Sequence, residues 1–200
     1  MIAPLPLCLG LDPGATTGIA LVEPRLGQRS RLLLLRVVSA ELDADRWAEH
    51  VFLAFEAVVK LAPVGRELVG WWELTRPPPS NGWMGNAMLS VRRGQLLQAA
   101  SDAGLTLAGF EHVMPQTWAS RMKVPVGKRG DGGHRLHEAQ ALVEMPVDTL
   151  RGLGPGAVDG AEAVLIAAAR GVDEIARRSP ISSAGKRAAK ARIPRGRKAA

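Results

Sequence analysis

Residues 9–23, LGLDPGATTGIALVE, constrain the fold of this chain more than any other stretch. An apolar run ends on a single carboxylate, Asp12, and a Pro-Gly dipeptide follows at once, which favours a turn. A second apolar run comes after it. We therefore predict a hairpin of two strands, over residues 5–12 and 18–23, in which Asp12 closes a buried strand.

The remaining pattern alternates strands with helices. Residues 31–38, RLLLLRVV, are nearly all apolar and predict a strand buried on both faces. Residues 44–62 switch to helical spacing, with Asp43 or Asp45 near the start as a cap. We predict further strands over 67–73 and 105–113, helices over 86–103, 115–122, 134–144 and 157–170, and irregular chain over 74–86, 125–133 and 154–156. This order predicts an α/β fold, a mixed five-stranded sheet with helices on both faces.

The positive charge of the chain is concentrated near its C-terminal end. The formal net charge is +7, and residues 177–200 hold nine Lys and Arg with no acid, which leaves 17 bases against 19 acids before them. A basic stretch with few large apolar groups is typical of a flexible tail that binds a polyanion, nucleic acid above all. A solubilising tail without a partner would have the same composition. We predict one folded domain over 1–176 and a basic tail over 177–200.

Cysteine content and hydropathy restrict the compartment. Cys8 is the only cysteine, which excludes an internal disulfide framework and a cysteine zinc cluster. No apolar span reaches 18 residues, and the first residues lack the basic segment of a signal peptide. The sequence therefore predicts a cytoplasmic protein with no membrane partner.

Four carboxylates stand at places where they could converge. Asp12 and Glu73 each end a predicted strand, and Asp159 and Glu162 lie on one face at the start of the last predicted helix. Taken singly, each has a structural explanation as a turn residue, a rim residue or a helix N-terminal acid. Taken together they would repel one another without a cation, and hard oxygen ligands suit Mg²⁺ or Mn²⁺.

Four stretches, in this order and spacing, resemble a known family. They are LGLDPGATTGIALVE, WWELTRPPPSNGWMGNAMLSVRRGQLLQAA, FEHVMPQTWASRMKV with its Pro-Gln-x-Trp segment, and VDGAEAVLIAAARG. Together they resemble the RuvC-type Holliday junction resolvases of the RNase H-like superfamily, and the compact phage-type members in particular. The resemblance covers roughly residues 5–172 and implies an RNase H-like fold.

The resemblance also implies an activity, that of a crossover junction endodeoxyribonuclease. Such an enzyme acts in DNA recombination and repair, in a bacterial cell or a phage-infected host. Asp12, Glu73, Asp159 and Glu162 fall on the family's four acidic positions, which implies two bound Mg²⁺ ions, with Mn²⁺ able to substitute. A lysine common among relatives has no clear match here, and His134, Arg135 and Lys128 are the nearby candidates.

The resemblance further implies a branched-DNA partner and a C2 homodimer, since a four-way junction has two-fold symmetry. We place the dimer interface on the helix around residues 86–103. The residues that we name as DNA-binding candidates could also be ordinary surface arginines or partly buried apolar side chains, since the sequence does not distinguish these cases. Those candidates are Arg76, Trp83, Met84, Arg92, Arg93, Lys123, Lys128, Arg135, Lys186, Arg187, Lys190 and Arg192. Trp118 is assigned to the core.

Three other readings share parts of the pattern. The first motif also resembles the phosphate loop of actin-like and sugar-kinase ATPases, but those proteins need two such domains, and 200 residues are too few. It also resembles the RNase H-like nuclease that trims ribosomal RNA precursors, which is usually shorter and lacks the Pro-Gln-x-Trp segment. A non-catalytic protein that binds DNA junctions is the third, and the presence of all four acids argues against it.

Overall fold

The computed structural model describes residues 4–14, 16–39, 41–73, 82–105, 110–124, 132–146 and 148–178. Its elements follow the predicted order of three strands, a helix, a strand, a helix, a strand and further helices. The strands are β1 (Leu7–Pro13), β2 (Thr17–Glu23), β3 (Ser30–Val38), β4 (Leu68–Glu73), β5 (Phe110–Val113) and β6 (Val143–Glu144). The helices are α1 (Ala44–Leu61), α2 (Gly82–Asp102), α3 (Pro115–Met122), α4 (Gly132–Leu142) and α5 (Ala157–Arg178), with a short 3-10 helix over Arg151–Gly156.

The six strands form one mixed sheet in the order β5-β4-β1-β2-β3-β6. β1, β2 and β3 form an antiparallel meander, whereas β4 and β5 run parallel to β1, so the carboxyl ends of β1, β4 and β5 share one edge of the sheet. This arrangement confirms the predicted mixed α/β sheet. The predicted strand number was wrong, because the two-residue β6 joins the outer edge of β3 where the sequence predicted the end of a helix.

Helices cover both faces of the sheet, as predicted. On one face α1 and α2 pack on the apolar side chains of β1 and β2, with Trp47 and Phe55 of α1 fully buried. Asp43 caps α1 by accepting a hydrogen bond from the backbone N–H of Arg46 at 2.9 Å. On the other face lie α3, α4 and α5. Among the described residues, no helix has the length and apolar composition needed to span a bilayer.

Glycines allow α5 to lie directly on the strand backbones. A Cβ at Gly10 of β1 would overlap the carbonyl oxygen of Ala163, and a Cβ at Gly18 of β2 would overlap that of Asp159. No side chain therefore separates the helix from the sheet at these points. The close approach brings the first turn of α5 beside the end of β1.

Several predicted boundaries were wrong. The predicted burial of β3 on both faces is confirmed at Leu34 and Leu35, but among its residues only these two and Val38 are fully buried, because most of its outer edge has no neighbouring strand in the described part of the chain. α2 begins at Gly82 and α4 at Gly132, so glycines predicted to be irregular are helical, while residues 74–81 and 125–131 lie outside the described residues. Strand β5 spans Phe110–Val113 of the predicted 105–113, and 106–109 are also outside. Residues 154–156 belong to the 3-10 helix, with a kink at Gly154.

The last helix is longer than predicted and changes the boundary of the tail. α5 continues to Arg178, so the two arginines at the start of the predicted tail are helical. Arg178 pairs with Glu67 at 2.6 Å, and Arg177 pairs with Asp173 at 3.1 Å. The folded part therefore extends through residue 178, and residues 179–200 lie outside the described chain.

Candidate active site

The structure brings together the four acids singled out in the sequence. Asp12 ends β1 and Glu73 ends β4, on neighbouring parallel strands and on the face that α5 covers. Asp159 and Glu162 lie in the first turns of α5. Each of the other three carboxylates acts electrostatically on Asp12, which places all four in one group. We call these four residues the acidic cluster.

Burial raises the pKa of every member of the acidic cluster, and the charges of neighbouring carboxylates raise those of Asp12 and Glu162 further. Burial is the largest cause for Asp12, followed by the negative charges of its three neighbours, and it holds the Asp12 pKa well above its usual range. Burial is likewise the main cause of the raised pKa values of Glu73, Asp159 and Glu162. The cluster therefore favours protonation when no cation is bound.

Asp12 and Glu162 share a side-chain hydrogen bond. Two carboxylates can form such a bond only when one of them carries a proton, since an ionised carboxylate has no donor. This interaction adds to the rise in the pKa of Asp12, whereas for Glu162 it offsets only part of the rise that burial causes.

Two side chains outside the cluster contact its acids. Trp118 of α3 is buried, and its indole Nε1 donates a hydrogen bond to Glu73 Oε2 at 2.6 Å. The guanidinium of Arg135 on α4 lies 4.8 Å from the centre of the Trp118 ring and 3.5 Å from Glu162 Oε1. Both groups lower the pKa of Glu73, but burial outweighs them. Arg135 also has one buried nitrogen, Nη1, without a hydrogen-bond partner.

The donor set fits a hard divalent cation, although its present arrangement does not enclose one. Among the described residues, no three His, Cys, Asp or Glu side chains are placed so that they could hold a metal ion together. The four donors are carboxylates, the ligands that Mg²⁺ and Mn²⁺ prefer, and one of them, Glu162, forms an ion pair with Arg135. Because the pKa values of these carboxyls are raised, metal binding requires that they lose their protons.

A second group of charges lies toward the other end of α5, and its charges balance. Trp71 Nε1 donates to Glu111 Oε2 at 3.2 Å, and Arg170 pairs with the same oxygen at 3.2 Å while its guanidinium lies 5.6 Å from the Trp71 ring centre. We call the connected set the ion-pair network. Its members are Glu67, Glu111, Asp173, Glu174, Arg121, Arg170, Arg177 and Arg178.

The predicted DNA-binding residues are only partly described. Arg92 of α2 is half-buried, with its guanidinium 4.5 Å from the Trp47 ring centre, and burial lowers its pKa. Burial lowers the pKa of His112, and the nearby charge of Arg93 lowers it further. Lys123 is exposed at the end of α3. Trp83 and Met84 are in the first turn of α2, but their side chains lie outside the described structure, as do Arg76, Lys128, Lys186, Arg187, Lys190 and Arg192.

Sequence reasoning missed the contact between Trp118 and the cluster. The residue was assigned to the core, and it is buried as expected, but it also bonds a cluster carboxylate. The Pro-Gln-x-Trp segment was the only sequence feature that could have indicated this contact, because it places a tryptophan, whose indole N–H is a donor, on a short helix. Of the basic residues near 128–135, Arg135 reaches the cluster, His134 lies 3.6 Å from Glu138, and Lys128 is outside the described chain.

Comparison with known proteins adds a likeness of fold. No protein-family model and no curated protein matches this chain. Among solved structures, RuvC of T. thermophilus in complex with Holliday junction substrate has a TM-score of 0.56 and 16% identity, over 83% of this chain and 93% of that one. The Thermus thermophilus RuvC structure has a TM-score of 0.57 and 18% identity over the same shares. The yeast mitochondrial Holliday junction resolvase Ydc2 has a TM-score of 0.47 and 15% identity, over 92% and 88%. The RuvC structures confirm the predicted RNase H-like fold.

Proposed function

We propose that this protein is a metal-dependent, structure-selective DNA endonuclease that cuts four-way junctions. The observation that carries the proposal is the acidic cluster, four carboxylates with one arginine at the edge of a sheet of RuvC-like fold. Further support comes from the neighbour RuvC of T. thermophilus, which was solved with a Holliday junction substrate. The fold by itself does not define an activity, and the cluster supplies the chemistry.

Asp12, Glu73, Asp159 and Glu162 would hold two Mg²⁺ ions, with Mn²⁺ as a substitute. When bound, such a pair of ions activates water and stabilises the leaving 3′ oxygen in phosphodiester hydrolysis, which gives a 5′-phosphate end. The protein's own part is to fix the ligands. Asp12 and Glu73 stand on neighbouring strands of a rigid sheet, and α5 is fixed by its backbone contact at Gly18.

The first test compares three labelled substrates in Mg²⁺: a four-way junction, a linear duplex and an RNA–DNA hybrid. We expect symmetric cuts in the junction, no cuts in EDTA, and little cutting of the other two. Preferred cutting of the hybrid would support an RNase H-like nuclease acting on RNA instead. Asp12→Asn keeps the shape of the side chain, so we expect it to bind junctions and not cut them. Undiminished cutting by Asp12→Asn would refute the catalytic assignment.

We further propose that the enzyme acts as a C2 homodimer through α2. Val91 and Leu97 on this helix are exposed apolar side chains, and Leu53 of α1, which packs against α2, is also exposed. A two-fold pair would set one acidic cluster against each of two opposing strands. Leu97→Asp should therefore yield monomers in analytical ultracentrifugation and single-strand nicks in place of paired cuts. A variant that stays dimeric would rule out this interface, and paired cuts by a monomeric variant would rule out the need for a dimer.

The basic tail is proposed to supply electrostatic affinity for DNA rather than catalysis. Because Arg177 and Arg178 belong to the folded helix, a clean deletion removes residues 179–200 only. Binding of the deletion variant to a junction should be weaker and less dependent on salt, since fewer phosphates are neutralised. An unchanged salt slope would contradict this role.

A further inference from the structure

Trp118 interacts with the acidic cluster in two ways. Its indole N–H donates a hydrogen bond to one acid, and its ring contacts the arginine that pairs with another. Its Nε1 donates to Glu73 Oε2 at 2.6 Å, which is short for such a bond. Its ring lies under the guanidinium of Arg135 at 4.8 Å, and Arg135 in turn reaches Glu162. The side chain is buried with 1% exposure, so its position is fixed by packing.

A hydrogen bond from an N–H group can fix the orientation of a carboxylate that binds a metal ion. A carboxylate has two oxygens, and a donor that holds Oε2 leaves Oε1 able to bind a cation in a fixed direction. The bond also supports the ionised form of Glu73 against the cost of burying it. Hydrogen-bonded partners of metal ligands commonly change metal affinity by about 10- to 100-fold when they are removed.

We propose that Trp118 is a positioning residue of the metal centre, whose indole N–H orients Glu73 as a ligand while its ring supports Arg135. This inference rests on the proposed function, because it assumes that the acidic cluster binds divalent metal. Trp118 itself has no part in the reaction. Its effect passes through Glu73 and Arg135, and so it should change the affinity for metal more than the fold or the affinity for DNA.

The test is a titration of the full chain with Mn²⁺, in the absence of DNA, by isothermal calorimetry. Trp118→Phe retains an aromatic ring under Arg135 and removes the N–H. We expect its Kd for Mn²⁺ to be about tenfold higher than that of the wild type. Binding of a four-way junction in EDTA should be unchanged, because no DNA contact is assigned to Trp118. Trp118→Leu removes the ring as well, and we expect a larger loss.

Trp71→Phe is the matched control. Trp71 is also buried, also donates its indole N–H to a glutamate, and also lies beside an arginine, but its partners belong to the ion-pair network. Its replacement should lower the unfolding midpoint and leave the Kd for Mn²⁺ within twofold of the wild type. A loss of Mn²⁺ affinity in Trp71→Phe as large as in Trp118→Phe would show a general packing effect and overturn the inference.

If Trp118→Phe does not fold, a replacement closer in shape to tryptophan provides the same test. Incorporation of 3-benzothienylalanine at position 118 keeps the shape of the bicyclic ring and exchanges only the N–H for sulfur. We expect the same rise in Kd for Mn²⁺ with this residue. Equal affinities in this protein and in the wild type would overturn the inference alone. A wild-type protein that binds no Mn²⁺ would overturn the proposed metal centre, and the inference with it.

Discussion

At each end of α5 a tryptophan, a glutamate and an arginine interact, but the pKa of the glutamate shifts in opposite directions at the two ends. In the acidic cluster, Trp118 donates to Glu73 and stacks with Arg135, and in the ion-pair network Trp71 donates to Glu111 and lies beside Arg170. The network joins four carboxylates to four arginines. The four carboxylates of the cluster have one arginine, which would leave three uncompensated negative charges if all of them ionised.

This difference separates charges that stabilise the fold from charges that we propose bind a metal ion. The pKa of Glu111 is lowered from its ordinary value, since the N–H of Trp71 and the charges of Arg170 and Arg177 together outweigh the effect of burial. The pKa of Glu73 is raised, because burial outweighs its two partners. Perturbed pKa values are common where a protein binds or reacts, and the sign of the perturbation distinguishes these two ends.

The largest expected effect comes from neutralising one glutamate at each end. Glu73→Gln retains an acceptor for Trp118 but removes a proposed metal ligand, so we expect junction cleavage to fall by about 10³-fold, which corresponds to several kcal/mol of lost stabilisation of the transition state. Its free energy of unfolding without metal should not decrease. Single-turnover cleavage and urea unfolding measure the two quantities.

Glu111→Gln should give the reverse pattern. Its side chain is 52% exposed, so screening limits the loss of unfolding free energy to about 1 kcal/mol, although Arg170 stays buried with one partner fewer. Cleavage per folded molecule should match the wild type. If both variants lost cleavage equally, the contrast between the two ends would be wrong.

A second comparison concerns two glycines at close contacts of α5, Gly18 of β2 beside the start of the helix and Gly171 within its second half. At Gly18 an added Cβ would overlap the backbone oxygen of Asp159, whereas at Gly171 it would meet Pro24 Cγ at 2.9 Å. Gly18→Ala must therefore push the first turn of α5 off the sheet, and we expect a loss of about 3 kcal/mol in unfolding free energy together with cleavage. Gly171→Ala needs only a small shift of Pro24, and alanine favours the helix by up to about 1 kcal/mol.

Denaturant unfolding and cleavage assays of both alanine variants measure these effects. The unfolding free energy of Gly171→Ala should lie within about 1 kcal/mol of the wild type, with cleavage retained. Full cleavage by Gly18→Ala would mean that the close contact of α5 with β2 does not set the position of Asp159 and Glu162.

The acidic cluster was within reach of sequence reasoning, and the ion-pair network was not. Asp12 and Glu73 each end an apolar run, and strand ends are where parallel sheets gather polar side chains, so local patterns sufficed. Arg170 lies in the apolar run of α5, and its partner Glu111 is 59 residues away. Such pairs depend on how the helix packs on the sheet, and the local periodicity of the sequence does not show this. The bond between Trp118 and Glu73 spans 45 residues and was missed for the same reason.

The smallest expected effect is an opposite dependence of stability on pH at the two ends. Because the folded-state pKa of Asp12 lies above its unfolded value, its contribution is fully present below about pH 4 and is lost as the pH rises through the folded pKa. Asp12→Asn does not titrate, so its unfolding temperature should exceed that of the metal-free wild type by a margin of a few degrees that grows as the pH rises above about 4.

The contribution of Glu111 to stability depends on pH in the opposite direction. Its folded-state pKa is lowered from 4.5, so its contribution is present above that value and is lost as the pH falls through the folded pKa. The deficit of Glu111→Gln relative to the wild type should therefore be constant near neutral pH and shrink only below about pH 4.5. Saturating Mn²⁺ should reduce the margin of Asp12→Asn at pH 8, since the cation replaces the missing positive charge, and should leave the deficit of Glu111→Gln unchanged. A margin for Asp12→Asn that did not grow with pH, or did not respond to Mn²⁺, would mean that the acidic cluster is neutralised within the protein just as the ion-pair network is.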